Sequence, residues 1–161
     1  MKPTALKDKR TLLLLGLTLL WMAVIFYFSA QPAEESTQMS SFAKELLEKM
    51  LNFIFQGKVP GFLSDGILVS EHLIRKYGHF TEYLILGILT VLTAKRLLTG
   101  KAVLMALLVC ILYASSDEFH QIFVSGRGPL VTDVLLDSAA AAAGIFAVGI
   151  RAAASTARVR T

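Results

Sequence analysis

Three groups of side chains have the types and spacing for chemistry: His79, Glu82 and Tyr83; Asp117, Glu118, His120 and Gln121; and Asp133 and Asp137. Each sits at one end of an apolar run, where a charge costs roughly 2.5 to 3.5 kcal/mol on insertion scales and survives chiefly where it meets partners or water. Spacings of three and four residues share a helix face. His79, Glu82 and Tyr83 therefore point together, as do Asp117, His120 and Gln121, and as do Asp133 and Asp137. Glu118 stands about 100° from Asp117 and is placed to reach a neighbouring element.

Two chemistries suit these groups. Histidines and carboxylates at i, i+3 on facing helices are how bundles hold metals. His79, Glu82, Asp117 and His120 are thus candidate ligands of a divalent ion that activates water for hydrolysis or transfer, with Asp133 or Asp137 as base. Spacing alone does not specify a metal, and the cofactor stays open. In the other chemistry Arg75, Lys76 and Arg127 bind a phosphate or carboxylate, Arg127 through a bidentate fork, while Tyr83, Glu118, Gln121, Asp133 and the remaining acids and histidines orient the ligand. Each residue also has a plainer use. A single membrane histidine or aspartate serves as an interhelical hydrogen-bond partner, Asp133 favours a helix N-terminus through the dipole, and Arg127 suits a solvated loop. A purely structural polar cluster is the corresponding reading of the whole.

The elements that position these residues follow from composition. The chain has 161 residues, 55% hydrophobic and only 17% charged, far from a soluble surface mix and sized for a single domain over 1–161. A net charge of +4 and a pI near 9.3 do not indicate nucleic acid, because the basic residues neither cluster nor alternate with stacking aromatics. Cys110, the one cysteine, lies within an apolar run without a companion thiol, and reads as packing.

Four apolar runs approach the ~20 residues that cross a bilayer as a helix: approximately 11–29, 77–98, 102–124 and 133–150. The first follows a basic start, and Ser29-Ala30 resembles a cleavage site. Its core exceeds the ~7 to 15 residues of a signal peptide and Phe28 fits the small-residue rule poorly, so it reads as a span. Trp21, Phe26, Tyr27 and Phe28 suit the far interface. Between the first two spans, Phe42, Leu46, Leu47, Met50, Phe53 and Ile54 recur at helical spacing opposite Lys44, Glu45, Glu48, Lys49 and Asn52. Ser40 or Ser41 would cap this amphipathic helix and Lys58-Val59-Pro60-Gly61 would break it. It is expected on the membrane surface or against the bundle, with a helix on a small extramembrane domain as the rival. Ser125-Gly126-Arg127-Gly128-Pro129 is a loop, and the Ala140-x-x-x-Gly144 spacing lets helices approach closely.

Charge orients the spans. The N-terminal segment, the Lys95–Lys101 turn and the C-terminal tail share ten Lys/Arg and one acid, Asp8; the other side holds six Lys/Arg and eleven Asp/Glu. The positive-inside rule makes the first side cytoplasmic, with Arg75 and Lys76 against the trend. Both termini are then cytoplasmic, and His79, Asp117 to Gln121, Asp133 and Asp137 all fall at the outer boundary beside Ser29 and Gln31. A transporter would carry its polar residues to the midplane, within repeated halves; here they gather at one boundary, and transport would need an oligomer.

The chain resembles the VanZ family. The resemblance rests on four stretches in order: Phe28-Ser29-Ala30-Gln31-Pro32-Ala33-Glu34-Glu35-Ser36, Arg75-Lys76-Tyr77-Gly78-His79-Phe80-Thr81-Glu82-Tyr83, Ser116-Asp117-Glu118-Phe119-His120-Gln121 with Gly126-Arg127, and Asp133-Val134-Leu135-Leu136-Asp137 with Gly144. The run Ala139–Ala143 departs from the glycine expected soon after the last aspartate. The resemblance implies an all-α, multi-pass protein of the bacterial cytoplasmic (inner) membrane, in a family associated with teicoplanin (glycopeptide) resistance. It supplies no biochemical activity. The combined expectation is a four-helix transmembrane bundle with an extracytoplasmic amphipathic helix. Its partners would be membrane lipids and an anionic lipid-linked cell-wall precursor or glycopeptide-related ligand.

Overall fold

The computed structural model describes residues 8–61, 70–98 and 100–159. Lys2, Lys7 and Arg160, three of the basic residues behind the expected orientation, lie outside the described residues. Within them the chain forms five helices and no strand: α1 Lys9–Ser29, α2 Ala33–Ile54, α3 Glu71–Leu97, α4 Ala102–Gln121 and α5 Val131–Val159.

Capping chemistry sets several boundaries. The Asp8 carboxylate accepts from the Arg10 N–H at 3.2 Å at the start of α1, and the Ser70 hydroxyl accepts from the Leu73 N–H at 3.3 Å at the start of α3. For α2 the expected Ser40 or Ser41 cap is wrong: the helix begins at Ala33, straight after Pro32, with Glu34 and Glu35 in its first turn. Those acids complement the positive helix start, while Thr37, Ser40 and Ser41 lie inside the helix and donate to carbonyls four residues back. It also stops before the expected breaker: Gln56 and Gly57 turn left-handed, with φ of 50° and 78°, and the Gly57 N–H closes on the Asn52 carbonyl at 2.9 Å.

Helices α1, α4 and the Val131–Ile150 part of α5 are long and apolar enough to cross a membrane. In α3 the N-terminal half carries Arg75, Lys76, His79 and Glu82, which breaks up its apolar stretch. Yet α3 is the hub, packing against each of the other four helices. It runs antiparallel to α1. Arg96 meets Asp8 at 3.3 Å at one end, Thr18 and Thr93 hydroxyls share a bond of 3.0 Å midway, and the Trp21 indole donates to the Glu82 carbonyl at 2.9 Å nearer the other end.

The tightest contact joins α3 and α5. A Cβ on Gly87 would overlap the Ala141 carbonyl, and one on Gly144 would overlap the Leu84 carbonyl. Ala140 and Ala141 are fully buried in the same seam, so alanines rather than an additional glycine supply the close approach after Asp137. Outward faces carry Leu13, Leu20, Leu112, Leu135 and Phe146, all more than half exposed. On α2, Phe42, Leu46, Met50 and Phe53 form another exposed apolar stripe, while Ser36 and Ser40 are buried against the bundle.

Candidate functional site

The face of α3 that packs into the bundle runs Arg75, His79, Glu82, Tyr83, Leu86, Thr90, a three-and-four spacing that turns from charged to apolar along the helix. On α4 the buried face is Ala106, Cys110, Ala114, Asp117, Glu118 and Gln121. Small residues bring the helices together at one end, and carboxylates occupy the same face at the other. On α5, Asp133 and Asp137 lie one turn apart, with Asp137 fully buried. These three faces meet the end of α1 at Ser29, whose hydroxyl accepts from the Gln121 amide at 3.4 Å.

The inner layer contains His79, Tyr83, Asp117 and Asp137. The His79 Nδ1 faces Asp137 Oδ2 at 3.6 Å. Tyr83 and Asp137 are 0% exposed and Asp117 3%. Nevertheless the Tyr83 hydroxyl, the His79 Nδ1 and all four oxygens of Asp117 and Asp137 lack a hydrogen-bond partner. A buried polar group left unpaired costs about 1 to 3 kcal/mol, more when charged. Six such atoms are gathered at one place, and Tyr83, Asp117 and Asp137 line neither of the cavities of the outer layer.

An outer layer is basic. Arg75, His79 and Arg127 line two adjoining cavities, one of about 190 Å³ shared with Glu82, Ser36, Ser40 and Phe28, the other of about 240 Å³ shared with Lys76, Gln121 and Asp133. Lys76 pairs with Asp133. Arg75 donates to the Thr37 hydroxyl at 3.0 Å and Arg127 reaches only the Phe28 carbonyl, at 3.5 Å. Neither guanidinium forms an ion pair among the described residues, and the Nε of each is buried without a partner. Burial, with Arg75 nearby, pulls the Arg127 guanidinium below its ordinary pKa, against the opposing charges of Asp117, Glu118 and Glu82.

Glu118 and His120 take other places. The Glu118 carboxylate accepts from the Gln121 amide at 3.2 Å and from the Leu130 N–H at 2.9 Å, pinning the α4–α5 loop. Spacing alone puts His120 on the face of Asp117 and Gln121; in the structure its ring lies 4.7 Å from that of Phe26, and, like Tyr83, Asp117 and Asp137, it lines neither cavity. The reason is helical phase: the buried stripe of α4 includes Ala114 and Gln121, which centres it between Asp117 and Glu118 and leaves His120 at its edge. Among the described residues, no group of three His, Cys, Asp or Glu side chains is arranged to hold a metal ion. The set His79, Glu82, Asp117 and His120 therefore does not fit a divalent ion as placed.

Ser36 and Ser40 join the site although sequence reasoning assigns them only to the connection or to a cap. They face the cavity because Ser36, Ser40 and Ala43 lie at i, i+4 and i+7 on α2, and this small-residue stripe is the signal in the sequence that finds them. Gly126 closes the loop with φ 73°, and a Cβ there would come within 2.9 Å of Ala33. The Ala33 N–H also donates to the Ser125 carbonyl at 3.1 Å, so α2 starts where the Arg127 loop ends its turn.

The family model described as VanZ/LLP1 matches residues 14–151. The chain belongs to the VanZ/LLP1 family. That match spans most of α1, all of α2 to α4 and the part of α5 that carries Asp133, Asp137 and Gly144. No curated protein and no solved structure matches the chain. As a VanZ/LLP1 protein with three helices suited to crossing a membrane, it is a membrane protein in a lipid environment.

Proposed function

We propose that this VanZ/LLP1 protein crosses the bacterial cytoplasmic membrane four times and binds, at its outer boundary, the anionic head group of a lipid-linked or other envelope ligand. The observation that carries the reading is the pair Arg75 and Arg127, which share two cavities and have no carboxylate bridging them among the described residues. A half-buried guanidinium with no carboxylate in ion-pair contact is costly unless a ligand supplies one. Arg127 offers the fork that matches phosphate or carboxylate.

Four spans follow if α3 crosses as well. Its 27 residues extend about 40 Å at 1.5 Å per residue, more than the ~30 Å of a bilayer core. The apolar part lies in the membrane and the Arg75 end projects past it, at the level of the head groups. The antiparallel contacts of α1 with α3, Asp8–Arg96 at one end and Trp21–Glu82 toward the other, support such a crossing. The basic N-terminal segment and the Lys95–Lys101 turn then share the cytoplasmic side, and α2 lies outside the membrane core with its apolar stripe toward the acyl chains.

The VanZ association with teicoplanin resistance supplies a setting: a head group of the envelope that the drug also depends on. The test pairs drug susceptibility with binding. Purified protein is titrated with vesicles containing an anionic phospholipid, beside an Arg127→Ala variant. Loss of binding and of any resistance phenotype together supports the reading; unchanged binding by the variant sinks it.

A further inference from the structure

Resting on that reading, the charges of the smaller cavity define the ligand further. We propose that the head group is zwitterionic, a phosphate joined by a short link to a primary ammonium, as in an aminophospholipid. Its phosphate lies against Arg75 and Arg127, and its ammonium against Glu82.

The cavity is lined by charges of both signs. Arg75 and Arg127 are on one wall, and Glu82 is on the same cavity. Glu82 forms no ion pair and its carboxylate no hydrogen bond among the described residues; the residue bonds through its backbone carbonyl, which accepts from Trp21. A ligand with an anion alone would satisfy the guanidiniums and place its charge near Glu82, which would repel it. An ammonium on the same ligand removes that conflict and gives the acid three donors.

Asp117 and Asp137 line neither cavity; their oxygens are buried without a protein partner, with the His79 Nδ1 3.6 Å from Asp137. Two guanidiniums and one carboxylate on the same small cavity match a dipolar head group rather than a simple anion.

Size and access agree with a lipid. A volume of about 190 Å³ is below the ~300 to 1,000 Å³ of sites for drug-sized ligands and suits a small head group rather than a sugar chain. Phe28, Met39 and Ile74 line the remaining wall, and the exposed apolar stripe of α2 continues from it, giving an acyl chain an apolar route outward.

The full-length protein is purified in a neutral detergent, and its thermal stabilisation is titrated with phosphatidylethanolamine, phosphatidylcholine and phosphatidylglycerol of matched chains, and with soluble O-phosphoethanolamine. Phosphatidylethanolamine should bind at least about tenfold more tightly than phosphatidylglycerol, the gain that one charge-assisted hydrogen bond supplies. It should exceed phosphatidylcholine too, whose quaternary nitrogen has no N–H to donate. Glu82→Gln should lower phosphatidylethanolamine binding and bring it level with phosphatidylglycerol, whose own binding should hold or rise as the repulsion is removed, which also shows that the variant is folded. Arg127→Ala should weaken both. Equal binding of phosphatidylethanolamine and phosphatidylglycerol, both weakened by Arg127→Ala, would overturn the zwitterionic head group and leave the anion site standing. Binding of either lipid unaffected by Arg127→Ala would remove the anion site itself. Soluble O-phosphoethanolamine as effective as the lipid would overturn the assignment to a lipid.

Discussion

Nδ1 of His79 stands 3.6 Å from Oδ2 of Asp137 across the α3–α5 seam, and neither atom has a hydrogen-bond partner. Further along the same seam, a Cβ on Gly144 would overlap the Leu84 carbonyl and one on Gly87 the Ala141 carbonyl. Tight packing there fixes the spacing of the two polar groups.

Asp137→Asn should leave the ligand-free protein as stable as before or more stable, because a buried carboxyl group whose oxygens lack a hydrogen-bond partner is a cost of about 1 to 3 kcal/mol. The same change should reduce ligand retention or resistance. Thermal unfolding in detergent and the functional assay together decide it. A stability loss above about 2 kcal/mol with function unchanged would assign Asp137 to structure alone.

Arg127→Ala should keep expression and insertion while lowering affinity for an anionic ligand by roughly ten- to a hundred-fold, the value of a charge-assisted bond of about 1.5 to 3 kcal/mol. If Arg127 instead only balanced Glu118, neutralising that acid as well would rescue the variant. No rescue is expected, since Glu118 already accepts from Gln121 and Leu130.

Much of this site is legible in the amino-acid sequence. His79, Glu82 and Tyr83 share a face because three and four residues make a helical turn, and that local rule holds wherever the helix packs. His120 shows where the rule stops. Asp117 and His120 are also three residues apart, but which part of a helix faces inward is fixed by its neighbours, and α4 turns its Ala114–Gln121 stripe inward. The start of α2 escapes sequence reasoning for a related reason: Ser40 and Ser41 are good caps in isolation, yet Pro32 and the contact between Ala33 and Ser125 start the helix earlier. The pairing of Gly87 with Ala141 depends on helix register, which no spacing within one helix reveals.

Gly87→Leu or Gly144→Leu should destabilise the bundle by about 1 to 3 kcal/mol or more through overpacking, because a backbone carbonyl is the neighbour in each case. Gly16→Ala, where nothing lies within 4 Å, serves as the control and should raise stability by about 0.5 to 1 kcal/mol. Equal melting temperatures for all three would contradict the α3–α5 seam.

Cysteine labelling checks the topology. Cys110 is fully buried, so the parent protein should be silent, and Ser125→Cys, on an exposed loop position, should react in intact cells. Gly100→Cys, in the basic turn, should react only after permeabilisation. The reverse pattern would invert the orientation and place the polar site on the cytoplasmic side.

The hydrogen bond from Ala33 to the Ser125 carbonyl ties the first turn of α2 to the loop that carries Arg127. In the four-span reading α2 and this loop roof the cavity together, so a head group leaving past α2 must part them. The rate of departure then depends on an uncharged backbone contact, while the strength of holding depends on guanidiniums and carboxylates. Residence time and affinity become separately adjustable in one small bundle: altering the packing of Gly126 on Ala33 changes how long a ligand stays without changing a single charge that it meets.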